Sequence, residues 1–222
     1  MYLLGDVHGN IEGLNKALCR AGLIDNHGLR TTQEPIWSIG DLANCVRDSV
    51  EGDLRCLSLL DRELIDGIVI GNHELPYLDP MNTFSGFHFD PEVSAVITRL
   101  WQEGKIVPAL VHGEQLITHA GLSANLCISE IDSADLAFDL LTQAWECGNF
   151  SHSWFSAVGR ARGGSSACGG VVWCDFEKEL QPTAFPQICG HTPRGLRMKG
   201  NALCIDAGCK DGETEPLVLR LL

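Results

Sequence analysis

At 222 residues, 45% hydrophobic and 20% charged, the chain has the length and make-up of one sizeable globular domain, and no linker divides it. Sixteen Lys and Arg against 29 Asp and Glu leave a formal charge of −13, which argues against nucleic acid or an anionic membrane as partner, since those surfaces are held by many cations. No basic segment leads into an apolar one at the start, and no apolar run is long enough to span a bilayer. The reading is therefore a cytoplasmic protein without a signal peptide. Its ten cysteines, none in a Cys-x-x-Cys pair, read as reduced, buried hydrophobes.

The chain opens on Met1-Tyr2-Leu3-Leu4, an apolar run that breaks at Gly5 into Asp6 and His8 before Gly9 begins an amphipathic stretch. This predicts a buried strand presenting two metal-ligand side chains on a turn. Ile11, Leu14, Leu18 and Ala21 then recur at helical spacing, with Asn10 placed to cap the start and Gly22 to stop the end. Ile36 to Ile39 is a second strand, ending in Gly40-Asp41, and Leu54, Leu57, Leu60 and Leu64 mark a second helix. Asp66-Gly67 leads into a third strand, Ile68-Val69-Ile70, which ends in Gly71-Asn72-His73-Glu74. The order β-α-β-α-β argues for parallel strands flanked by helices.

Leu75 to Asp90 reads as an irregular, aromatic-bearing connection, after which Asp90-Pro91 starts a helix with Val93, Val96, Ile97, Leu100 and Trp101 on one face. Strands over Ile106 to Val111 and Gln115 to Thr118 join across His112-Gly113-Glu114 as a hairpin, making the sheet system mixed. The second of them runs into His119-Ala120-Gly121. Leu136, Leu140, Ala144 and Trp145 predict one more helix, and the Gly- and Ser-rich residues 149–170 carry Arg160 and Arg162. Four strands complete the reading: Val171 to Trp173, Gln187 to Cys189 ahead of Gly190-His191, Ala202 to Ile205, and Leu217 to Leu222.

An apolar run, a glycine and a polar donor thus recur along the chain and select Asp6, His8, Asp41, Asn72, His119 and His191. Any one of these is as readily a capped turn as a ligand. Together they are a set of hard and borderline donors suited to Mn foremost, with Fe, Zn, Mg or Ni as alternatives. Six exceed the need of one catalytic ion, which must keep a position open, so two divalent ions sharing one carboxylate are the economical solution.

At this point a resemblance enters. Gly5-Asp6-Val7-His8-Gly9, Gly40-Asp41, Gly71-Asn72-His73-Glu74, His119-Ala120-Gly121 and Gly190-His191-Thr192 resemble the successive signatures of the calcineurin-like metallophosphoesterases. They are most similar to the phosphoprotein phosphatase branch and its small bacteriophage and bacterial members. The likeness runs from Met1 to about Gly208, with intervals of 35, 31, 47 and 72 residues from Asp6 through Asp41, Asn72, His119 and His191. It implies an α/β fold over residues 1–222, a four-layer α/β/β/α sandwich with two mixed β-sheets and the metals on loops at one edge. It also implies Asp6 and His8 on one metal, Asp41 between the two, and Asn72, His119 and His191 on the other. His73 matches the family's general acid, which with Asp41 makes up the catalytic pair. Asn44 and Asp206 would support these residues from behind.

The chain departs from the branch where Asn44 and Cys45 stand in place of the acid that orients the catalytic histidine and the arginine that holds phosphate. A phosphate pocket still needs a guanidinium, so Arg162 and Arg160, flanked by glycines, and Arg47 become the candidate phosphate-binding residues beside Asn72. The resulting expectation is a phosphomonoesterase of the serine/threonine protein phosphatase type, acting on a phosphorylated protein or a small phosphate ester. Two alternatives stand beside it. One is a hydrolase of symmetrical dinucleoside tetraphosphates or other nucleotides and diesters; the other is a metal-binding scaffold without turnover.

Overall fold

The computed structural model describes residues 1–44, 50–126 and 131–222. Its first sheet is built from β1 (Tyr2–Leu4), β2 (Ile36–Ser38), β3 (Gly67–Val69) and β4 (Ile106–Val107), all parallel, with β10 (Val218–Arg220) antiparallel along β1. The second sheet runs in the order β5 (Leu110–His112), β6 (Gln115–Ile117), β7 (Gln187–Cys189), β9 (Ala202–Cys204) and β8 (Arg197–Lys199). Its inner three strands are parallel and its edges antiparallel, so both sheets are mixed.

Side-chain alternation along the strands assembles the four layers. Leu3, Val69, Ile117 and Ile188 point into the gap between the sheets, joined by Ile39 and Ile205 from just beyond the strand ends. Their neighbours Leu4, Ile36 and Ile68 face the other way, into the core shared with α1 (Ile11–Arg20), α2 (Val50–Asp61) and α4 (Pro91–Gln102) through Leu14, Leu57 and Ile97. Outside the second sheet, α5 (Ala134–Glu146) covers β5 and β6, while Phe176 and Leu180 cover Cys189, Ala202 and Cys204. Each fully buried side chain of this size contributes about 1.5–3 kcal/mol. The caps form as the sequence predicts: Asn10 accepts from the Gly13 N–H and Asp90 from those of Glu92 and Val93.

The structure departs from the sequence expectation at five places. The strand expected over Ile106 to Val111 is two strands in different sheets, because Pro108 has no N–H to continue a ladder and the chain crosses there from one sheet to the other. Val171 to Trp173 is a buried turn in which the Trp173 and Cys174 N–H groups donate to the Gly170 carbonyl. It is apolar because the core surrounds it, not because it pairs in a sheet. Strand β8 carries no strand signal in the sequence, since its Arg-Met-Lys edge is largely exposed and lacks an apolar alternation. The second helix stops at Asp61, before Leu64, with the chain reversing at Glu63 in a left-handed conformation. Finally, the connection after β3 holds the short helix α3 (Leu75–Leu78) and a 3-10 turn, Pro80–Asn82. Among the described residues no helix is long and apolar enough to cross a membrane.

Candidate active site

The parallel strands β1, β2 and β3 end on one edge of the first sheet, and β6, β7 and β9 on one edge of the second. Beyond those six ends sit Asp6 and His8, Asp41, Asn72 and His73, His119, His191 and Asp206, all buried. Chain turns at the carboxyl ends of parallel strands are where such sheets gather polar groups. Here the backbone is bent to aim them. His8, Asp41, Asn44 and His191 have φ of 52°, 49°, 62° and 66°, a left-handed conformation that costs a non-glycine residue about 1–2 kcal/mol. Glycine is required where ligands cross: a Cβ on Gly71 would fall on Asp41 Oδ1, and one on Gly190 on Asp6 Oδ1.

Asp41 is the shared corner. Its Oδ2 lies 3.4 Å from His119 Nε2, 3.7 Å from His8 Nε2 and 3.9 Å from His73 Nε2. On one side His8, Asp41 and His73 converge; on the other, Asp41, His119 and His191. His119 Nε2 is also 3.1 Å from Asn72 Oδ1 and 3.2 Å from His191 Nδ1. Its Nδ1 lies 2.9 Å from the Ile39 carbonyl, an acceptor only, which fixes the proton there and turns the Nε2 lone pair towards the centre. Asp6 lies behind His191, accepting its backbone N–H at 3.0 Å, and Asp206 Oδ1 accepts from the Gly208 N–H at 2.7 Å.

These residues fit a pair of divalent cations. Asp41 Oδ2 is buried with no hydrogen-bond partner, which is costly for a carboxylate oxygen unless a cation satisfies it, and His8 Nε2, His119 Nε2 and, beside the latter, His191 Nδ1 gather around it. Burial, then Asp206, pushes the Asp6 carboxyl well up; burial, then Asp41, pushes Glu74 up to about 7; burial raises Asp206. Burial disfavours charge on His119, yet the fields of Asp41 and Asp6 prevail and hold it at about 10. The other imidazoles are driven the opposite way: burial lowers His8, His73 and His191, which keeps those rings neutral with a lone pair to offer a cation. The oxygen and imidazole donors are of the type that hard and borderline divalent ions take.

Residues 1–195 match the family model described as calcineurin-like phosphoesterase. The chain belongs to that family. It is a metal-dependent phosphoesterase. Among solved structures, a cold-active protein tyrosine phosphatase superposes with a TM-score of 0.62 over 99% of this chain and 73% of its own, at 18% identity. A point mutant of a cold-active protein tyrosine phosphatase gives 0.61 over 99% and 74%, at 16% identity. At these identities the likeness is one of fold. No curated protein matches the sequence significantly.

Above the metal-ligand types of this calcineurin-like phosphoesterase lies a cavity of about 350 Å³ lined by Asn72, His73, Arg162, His191, Phe84 and Trp173, among others. The Arg162 guanidinium is pinned on its wall, Nη2 donating to the Thr192 hydroxyl at 2.8 Å and the His191 carbonyl at 3.3 Å, with Nε 3.3 Å from Asp175. Arg160 is exposed and lines no part of it. Arg47 and Cys45 lie outside the described residues. His73 donates its backbone N–H to Asp41 Oδ1 at 3.0 Å, and its Nδ1 is 3.0 Å from Asn44 Oδ1. Three groups have roles that the motifs do not assign. Glu74 accepts the N–H groups of Asp41, Ala43 and Gly71, stitching the turns after β2 and β3 together. An acid directly after a ligand and a histidine was the available signal. Glu179 accepts those of Ala161, Gly169 and Asp175 and so shapes the turn bearing Arg162. Lys210 also lines the cavity, and nothing in its sequence surroundings announced it.

Proposed function

We propose that this phosphoesterase is one domain that hydrolyses phosphomonoesters, on a protein or a small molecule, in the manner of the serine/threonine protein phosphatases. Two divalent ions, Mn foremost, would be held by Asp6, His8 and Asp41 and by Asp41, Asn72, His119 and His191. The thiols that are free among the described residues suit a reducing cytoplasm. One observation carries the reading: Arg162 is locked by three groups on the wall of the cavity that Asn72 and His191 also line. Those contacts engage Nη2 and Nε and leave the Nη1 N–H groups to grip a terminal oxygen of a monoester dianion, and a preorganised guanidinium needs little ordering to do so.

Bound cations would neutralise the phosphoryl oxygens and lower the pKa of a water towards neutrality. The chain's own residues do the rest. Arg162 orients the phosphoryl group and the Asn72 amide lies beside it. Asn44 donates its amide N–H to the His88 carbonyl at 3.0 Å, so its Oδ1 faces His73 and takes the proton on Nδ1. His73 therefore turns Nε2 to the cavity, and from that atom, once protonated, it would donate to the leaving oxygen. Burial lowers His73 to about 4, which makes it a strong acid but a sparsely protonated one near neutrality.

The test is a panel of p-nitrophenyl phosphate, its bis-ester, a phosphopeptide, nucleotides and diadenosine tetraphosphate, assayed with Mn. The monoesters are expected to be turned over with the highest kcat/KM. Preference for the bis-ester or the tetraphosphate would replace this reading with the nucleotide and diester one.

A further inference from the structure

The turn that carries Lys210 is fastened to the site. It is a 3-10 turn, Cys209–Asp211, between Gly208 and Gly212, both left-handed at φ of 84° and 72°. The Gly208 N–H is held by Asp206 Oδ1, and Cys209 is buried. This segment lies beyond residues 1–195, the part that matches the family. From it the Lys210 side chain reaches the cavity, with Nζ 3.4 Å from His73 Nε2.

The hydrogen bonds give that contact a direction. The Asn44 Nδ2 group donates to Tyr77 Oη at 3.2 Å and to the His88 carbonyl at 3.0 Å, which leaves Oδ1 for His73. Oδ1 only accepts, so His73 Nδ1 carries the proton of the neutral ring, and in that form Nε2 offers its lone pair to the Lys210 ammonium. An ammonium has three N–H donors, and His73 uses one. Among the described residues, no carboxylate pairs with Lys210, whereas Arg162 on the same cavity has Asp175 within 3.3 Å. In a chain of formal charge −13, an ammonium positioned in this way beside the metal-ligand types has donors left for an anion.

We propose that Lys210 is a phosphate-binding residue, which with Arg162 forms a two-armed cationic clamp on the phosphoryl group. It supplies the charge that Cys45, in the place of the family's arginine, does not. The inference rests on the monoesterase reading above, and adds a residue to it. Lys210 acts as a compact charge with rotatable donors, Arg162 as a fixed guanidinium presenting its Nη1 N–H groups.

The test uses the full chain loaded with Mn, as wild type, Lys210→Met, Lys210→Arg and Arg162→Ala. Inorganic phosphate affinity is measured by isothermal titration calorimetry, and kcat and KM with the best monoester of the panel. Metal content and melting temperature are recorded for each. Lys210→Met is expected to weaken phosphate binding and kcat/KM by about 10- to 100-fold, with Lys210→Arg recovering most of both because the charge remains. Metal content should not change. If Lys210→Met leaves phosphate affinity within about twofold of wild type, the proposal is wrong, including the case in which kcat alone falls because Lys210 only steadies His73. Should wild type hydrolyse no monoester yet bind phosphate through Lys210, the monoesterase reading fails and the clamp stands.

Discussion

His73 Nδ1 lies 3.0 Å from the Oδ1 of Asn44, so the imidazole leans on a neutral amide. A carboxylate there would favour the imidazolium; an amide accepts the same proton without adding charge. Asn44→Asp is therefore expected to raise His73 from about 4 by roughly 1–3 pH units, moving the alkaline limb of the kcat/KM profile to higher pH. A limb that stays in place, in a variant with normal metal content, would show that Asn44 does not govern His73.

Asp41 faces three imidazoles within 3.9 Å and is the corner common to both donor groups. Chelation should abolish p-nitrophenyl phosphate hydrolysis and added Mn restore it. Asp41→Asn should lower kcat and metal content more than any substitution outside the ligand set, since both donor groups lose their shared anion. Full activity in thoroughly metal-stripped protein would refute this.

The two arginines of the Gly-rich loop separate cleanly. Arg162 is held by Thr192, His191 and Asp175 in the cavity wall, whereas Arg160 is exposed. Arg162→Ala should cost about 1.5–3 kcal/mol of transition-state binding, roughly 10- to 100-fold in kcat/KM. Arg160→Ala should stay within about twofold. Equal losses in steady-state assays would count against the assignment of the clamp to Arg162.

His119 also makes a pH signature. Its value in the fold, about 10, stands above the ordinary 6.5, so its proton stabilises the metal-free protein fully below pH 6.5 and that stability drains as pH rises towards 10. The slope approaches about 1.4 kcal/mol per pH unit, or roughly 3–6 °C in melting temperature. A cation on Nε2 displaces that proton, so Mn-loaded protein should melt with a flatter dependence. Calorimetry between pH 7 and 9, with chelator and with Mn, compares the two slopes; identical slopes would rule the mechanism out.

Local periodicity and strand-end chemistry by themselves determined most of the elements and picked out six candidate donors, because a buried strand needs alternating or continuous apolar side chains and its end must place polar groups on glycine-permitted turns. Asn10 and Asp90 showed as caps for the same local reason. What passes between distant segments was decided only by tertiary structure. The crossing at Pro108 between the sheets, the buried turn at Val171 to Trp173 and the edge strand Arg197–Lys199 each depend on what lies beside them in space. So does the choice between Arg160 and Arg162, two residues apart in one loop, since only the contacts with Thr192 and His191 separate them. Lys210 is the extreme case. It is 137 residues from His73 in the chain and meets it only because β9 and β3 belong to sheets that stack with their carboxyl ends together.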